Sequence, residues 1–153
     1  MRRALIPVGV IAAAVCTFAV VNATAGSSRS KEGGTIHVIE HATTDAVTNG
    51  SGDAEGNILT FHNDVFDSAN SGKVGSDQGY CIRIEVGKSW ECNWTTFLQG
   101  GQITVEGPFL DTSDSTVAVT GGTGTYRNVR GSMELHARNP AGTEFDFVFH
   151  LIG

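Results

Sequence analysis

Tyr80-Cys81-Ile82-Arg83-Ile84-Glu85-Val86, then Gly87-Lys88-Ser89, then Trp90-Glu91-Cys92-Asn93-Trp94-Thr95 reads as strand, turn and strand. Aromatic and β-branched residues recur at every second position on both sides of a short Gly-containing turn, which is the signature of a hairpin. If Cys81 and Cys92 oppose each other directly, Arg83 faces Trp90 and Glu85 faces Lys88, both favourable cross-strand partners. That register groups Cys81, Arg83 and Glu85 with the two tryptophans and leaves Ile82 and Ile84 on the other face with Glu91 and Asn93. A one-residue slip exchanges the two faces and separates the sulfurs. A Cys81–Cys92 disulfide is therefore the expected state, with two separate thiols as the alternative.

The same period of two runs outward from this hairpin. Ile36, Val38 and Glu40 alternate with His37, Ile39 and His41, and Ile103/Val105, Val117/Val119, Met133/Leu135 and Phe145/Phe147/Phe149 each mark one face of a strand. No stretch holds a helical period. Strands are expected at about 35–41, 57–67, 79–86, 89–98, 101–107, 115–120, 130–138 and 143–151, with Gly, Asn, Asp and Ser clusters between most of them. Eight short strands in about 120 residues imply an all-β domain, a closed barrel or a sandwich. Residues 43–56 are polar and Gly-rich, either a lid or a plain surface connection.

At the N-terminus, Met1-Arg2-Arg3 precedes an apolar run from Ala4 to Val21 and then Ala23-Thr24-Ala25. Charge, apolar run and small-x-small site together form a secretory signal peptide, expected over residues 1–25; a retained anchor is the competing reading. Cleavage removes Cys16 and leaves Cys81 and Cys92 as a pair in an oxidising compartment. Residues 26–34 are expected to be a flexible leader and 35–153 one domain. The 153-residue chain carries 10 Lys and Arg against 16 Asp and Glu, a formal charge of −6. Losing Arg2 and Arg3 takes it to about −8, which argues against nucleic acid and anionic membranes as partners and against stable membrane association after cleavage.

Gly79-Tyr80-Cys81, Glu106-Gly107-Pro108-Phe109 and Thr120-Gly121-Gly122-Thr123-Gly124-Thr125-Tyr126 with Arg130-Gly131 behind them carry a family resemblance. Together they resemble the allene oxide cyclase barrel-like family, with the plant dirigent proteins a related branch. The resemblance covers Thr35 to the C-terminus. It implies an eight-stranded antiparallel β-barrel, commonly a homotrimer, whose apolar cavity steers a small hydrophobic molecule into one cyclised or coupled product without a cofactor. Such a cavity works mainly by shape, with a first-strand carboxylate and a bound water stabilising developing charge.

Carried over position by position, Glu40 falls at the place of the cyclase carboxylate, and Asn63, within Phe61-His62-Asn63, at that of the residue that helps hold the water. These two are the expected catalytic residues. Phe61, Phe109 and Arg130 are expected at the ligand. The pattern is not copied throughout: Ala42 stands where the cyclases have a second Asn, Thr48-Asn49 where they have Ser-Pro, and Phe109 where they have a tyrosine. Independently of the family, Glu40 shares parity with Ile36 and Val38 and so points toward an apolar interior, where burial raises its pKa. The bland alternative is a structural pair between Glu40 and Arg83 or another base, or a place for Glu40 at a trimer contact.

Other chemistries find little support. His37 and His41 share a strand face about 13 Å apart, too far for one ion, and no other histidine has ligand spacing, so no metal is expected. The Gly121-Gly122-Thr123-Gly124 segment lacks the Lys-Ser/Thr ending of a phosphate loop and reads as a turn that needs positive φ. The expected function is a secreted cofactor-free cyclase or isomerase acting on a hydrophobic metabolite; the alternative is a secreted carrier of a small apolar ligand.

Overall fold

Cys81 and Cys92 stand directly opposite each other on adjacent antiparallel strands, their Cα atoms 4.0 Å apart, and are joined by a disulfide. Arg83 faces Trp90 in the same register. Its guanidinium lies 3.9 Å from the Trp90 ring centre. A bulge between Arg83 and Glu85 then shifts the pairing, so Glu85 stands opposite Ser89 rather than Lys88. The Glu85–Lys88 ion pair still forms, across the turn.

In the computed structural model, which describes residues 33–48 and 52–152, this hairpin sits in the middle of one antiparallel sheet. The strands are β1 (Thr35–His41), β2 (Ala46–Thr48), β3 (Ile58–Asp67), β4 (Lys73–Glu85), β5 (Ser89–Leu98), β6 (Gly101–Leu110), β7 (Ser115–Gly122), β8 (Arg130–Ala137) and β9 (Glu144–Ile152). Neighbours in sequence pair from β2 to β9, and β1 pairs with β9 on one side and β3 on the other. The eight strands β1 and β3 to β9 thus form a closed barrel, which leaves no long edge unpaired. The expected signal peptide lies outside the described residues.

The eight expected strands are all present, with two differences. β4 begins at Lys73, because Lys73–Gln78 pairs with β3 from Phe66 to His62, with a bulge at Val74. Gly75, Ser76 and Asp77 are poor strand formers by themselves; the neighbouring strand supplies the ladder. Within 43–56, expected as a loop, Ala46–Thr48 forms β2 on the part of β3 that β1 leaves free. Gly34, expected to belong to a flexible leader, accepts a backbone hydrogen bond from Leu151 at 3.0 Å.

Alternation decides the interior. Val38, Val65, Trp94, Ile103, Val105, Val117, Val119, Met133, Phe147 and Phe149 are all buried along the inward parity of their strands. On the outward parity of β3 and β4, Ile58, Tyr80, Ile82 and Ile84 are exposed, as the disulfide register requires. The Gly-rich turn holds Gly124 at φ 61°, and a Cβ there would sit 2.0 Å from the Gly100 carbonyl oxygen.

Ile103, Val105, Val119, Phe149 and Leu151 fill the half of the barrel nearer the 123–129 connection. The other half, beneath segments 42–48, 52–57, 111–114 and 138–143, is where the cavity lies.

Candidate functional site

A cavity of about 250 Å³ occupies that half, close to the lower bound of roughly 300 Å³ usual for small-molecule sites. Its wall is largely aromatic: Phe61 meets Trp94 edge-on at 6.3 Å between centroids, Trp94 lies 5.7 Å from Phe147, and Phe109 meets Phe145 edge-on at 5.9 Å. Leu59, Leu135 and the Cys81–Cys92 disulfide complete most of the apolar surface. The ionisable groups on the lining are Glu40 and Asp45, both acidic.

β1 delivers Glu40 to this cavity by the parity that buries Val38, and only 6% of Glu40 is exposed. Asn63, two residues along β3 from the Val65 that pairs with Glu40, donates from Nδ2 to Glu40 Oε1 at 2.9 Å and to Asp45 Oδ1 at 3.2 Å. Its Oδ1 accepts the backbone N–H groups of Thr43 at 2.9 Å and Thr44 at 3.0 Å. One amide thus holds the carboxyl group and the segment that crosses above it.

Asp77, on β4, lies directly across from Asn63 on β3 and from Thr96 on β5. Only 1% of it is exposed. Its Oδ1 accepts the Asn63 backbone N–H at 3.2 Å, its Oδ2 is buried with no hydrogen-bond partner among the described residues, and the Glu40 carboxyl group is near enough to act on its protonation. Burial is the main reason that Glu40 is pushed up to about 7, against the hydrogen bonds from Asn63 and Asp77 and with the added repulsion of Asp45. Burial also pushes Asp77 up to about 9, helped by the charge of Glu40 and the hydrogen bond to it. Among the described residues, no cation enters either balance. The site is an apolar chamber with weak, proton-carrying acids at its floor.

This pattern of strands, turn and first-strand carboxyl has a recognisable counterpart. Residues 35–151 match the family described as allene oxide cyclase. The chain belongs to the allene oxide cyclase family. Structures with the same barrel include a pyocyanin demethylase, 24% identical, with TM-score 0.64, covering 76% of this chain and 98% of its own. A pterocarpan synthase dirigent protein is 16% identical with TM-score 0.72, covering 91% of this chain and 98% of its own. A Diels–Alderase from Streptomyces koyangensis is 14% identical with TM-score 0.60, covering 82% of this chain and 69% of its own. At these identities the likeness is one of fold.

Of the residues singled out by family position, Glu40, Phe61 and Phe109 line the cavity, and Asn63 is bonded to Glu40. Arg130 is not among the lining residues. It is exposed at the start of β8 and donates to the Val129 carbonyl at 2.7 Å, because β8 begins at the end of the barrel remote from the cavity. Arg83 does not pair with Glu40. It bonds Asp53 and Asp111, each at 2.6 Å, and so ties segment 52–57 to the β6–β7 connection. Among the described residues, no three His, Cys, Asp or Glu side chains come together as a metal-holding cluster.

Asp77 and Asp45 are the members of the site that sequence reading missed. Asp77 shares parity with Gly79, Cys81 and Arg83, so extending the hairpin strand by one pleat would have turned it inward. Asp45 has no such signal, because it reaches the site through the fold of a connection.

Proposed function

We propose that this protein is a secreted barrel that admits a small, uncharged, apolar metabolite and directs its stereoselective cyclisation or isomerisation without a cofactor. The observation that carries the reading is Glu40: a buried carboxyl group with no cationic partner among the described residues, at the floor of an aromatic chamber. A structural carboxylate is ordinarily paired, since an unpaired buried charge is costly. Glu40 avoids that cost by holding a proton near neutral pH, which suits a general acid or base.

The chamber also defines the substrate class. Its ionisable lining is acidic, so an anion is repelled, while an ether, epoxide or carbonyl oxygen accepts a hydrogen bond from neutral Glu40. Asn63 fixes the direction of that bond, and Phe61, Trp94, Phe109, Phe145 and Phe147 hold the hydrocarbon in one conformer. Proton donation by Glu40 promotes opening or rearrangement, and the resulting carboxylate takes a proton back from the product-forming cation. The exposed apolar outer face with Ile58, Tyr80, Ile82 and Ile84 supports a homotrimer in which copies cover it.

The test incubates mature wild-type protein and Glu40→Gln with an organic extract of the producing culture, followed by mass spectrometry of free and protein-retained molecules. A new isomer or altered enantiomer ratio with wild type alone supports the reading. One compound retained unchanged by both proteins overturns it and assigns a carrier.

A further inference from the structure

We propose that Glu40 and Asp77 act as one unit, a pair of carboxyl groups sharing a proton beneath the cavity, in which Asp77 is the positioning residue that keeps Glu40 ready to give and regain its proton. The inference deepens the reading of Glu40 as the cavity acid and rests on it for its purpose; the pair itself stands on geometry.

Three features of the structure lead to it. Glu40 lines the cavity and Asp77 does not, so substrate reaches only the first. Asn63 grips both, donating its side-chain amide to Glu40 and its backbone N–H to Asp77. Asp77 Oδ2 is buried and has no hydrogen-bond partner among the described residues, which costs more for an ionised carboxylate than for a neutral carboxyl group. Two carboxyl groups bonded to one residue in a buried site do not both ionise easily, so the pair keeps one proton after the other has left. No element packed around them supplies a cation: β9 presents Phe145 opposite Glu40, β5 presents Thr96 opposite Asp77, and segment 42–45 contributes Asp45.

The proton count closes without a co-reactant. With both groups neutral, Glu40 gives its proton to a substrate oxygen and becomes a carboxylate, and the Asp77 O–H hydrogen bond stabilises the charge. When the rearranged substrate cation loses a proton, Glu40 accepts it and the starting pair is restored. Asp77 exchanges no atom with substrate; it lowers the energy of ionised Glu40 during the interval. Thr96 Oγ1, also buried without a partner, lies opposite Asp77 and continues the same inward-facing polar row away from the cavity.

The experiment is a carboxyl-carbon NMR titration of the unliganded mature protein, labelled at Glu and Asp, with Glu40→Gln and Asp77→Asn beside it. In wild type, the carbons of Glu40 and Asp77 are each expected to respond to both of two steps, near pH 7 and near pH 9, as coupled groups do. Glu40→Gln is expected to move the Asp77 step downward, because both the charge and the hydrogen bond that raise it are lost. Asp77→Asn is expected to leave one single-step curve at Glu40. Independent single-step curves in wild type, or an Asp77 step unmoved by Glu40→Gln, overturn the pair. The wild-type curves decide the matter even where a variant fails to fold. Absence of turnover with the extract speaks only against the catalytic reading, since the titration involves no substrate.

Discussion

Asn63 Nδ2 donates to Glu40 Oε1 at 2.9 Å, and the same amide's oxygen receives the N–H groups of Thr43 and Thr44. The acid of the cavity and the chain crossing above it are therefore held by one side chain. Asn63→Ala removes the side-chain bonds and leaves two backbone donors without their acceptor. We expect a stability loss of about 1–3 kcal/mol in urea unfolding. The Glu40 titration is expected to move upward, because the Asn63 hydrogen bond now lowers it. An unchanged Glu40 titration would show that the bond has no electrostatic effect.

The buried acids make stability fall as pH rises. Glu40 moves from 4.5 in the unfolded chain to about 7 and Asp77 from 3.8 to about 9 on folding. Between those limits the unfolded state has released protons that the folded state still holds, so their stabilising contribution is present below about pH 4 and lost progressively up to about pH 9. Asp77→Asn is expected to flatten the slope over that range relative to wild type, whatever its offset at one pH. Parallel slopes in denaturation series from pH 5 to 9 would refute the assignment.

The disulfide closes a short loop, Cys92 standing 11 positions after Cys81. Chain-entropy reasoning gives about 3 kcal/mol for such a loop. The double change Cys81→Ser with Cys92→Ser is expected to lower unfolding stability by that order and to place two hydroxyl groups on the apolar lining. Loss of the stability and weaker retention of an apolar fluorescent probe are the two readouts.

Gly79 stands across from Trp94, and a Cβ at position 79 would lie 2.3 Å from Trp94 Cβ and 2.5 Å from the Asn93 carbonyl oxygen. Gly79→Ala must push β4 and β5 apart or displace the indole. A cost of about 1–3 kcal/mol is expected, with altered Trp fluorescence because the displaced ring forms part of the cavity wall. A variant as stable as wild type with the same emission would contradict the close approach.

Parity was the legible part of the site. Val38 and Glu40 on one strand, Cys81 with Arg83 on another, and Phe145, Phe147 and Phe149 on the last all face inward as alternation requires. The cysteine pair settled the hairpin register and with it the exposure of Ile82 and Ile84. Arg130 shows where position in a family pattern does not suffice: its motif neighbours form the turn at the barrel end away from the cavity, and the side chain stays there. Asp77 shows the reverse. Ser76-Asp77-Gln78 has turn-like composition, and only pairing with β3 and β5 makes it strand and turns its carboxyl group inward.

Alternating apolar residues, turn glycines and the cysteine pair of one hairpin determine by themselves an all-β chain of eight main strands and place Glu40 on an inner face, because side-chain direction in a strand follows local geometry. Which carboxyl groups meet was decided by barrel closure, which brings β1 against β3 and β3 against β4 and thereby joins positions 40, 63 and 77. Hydrogen bonding and desolvation act over a few ångströms of space, and no spacing along the chain encodes that distance until the strands have paired.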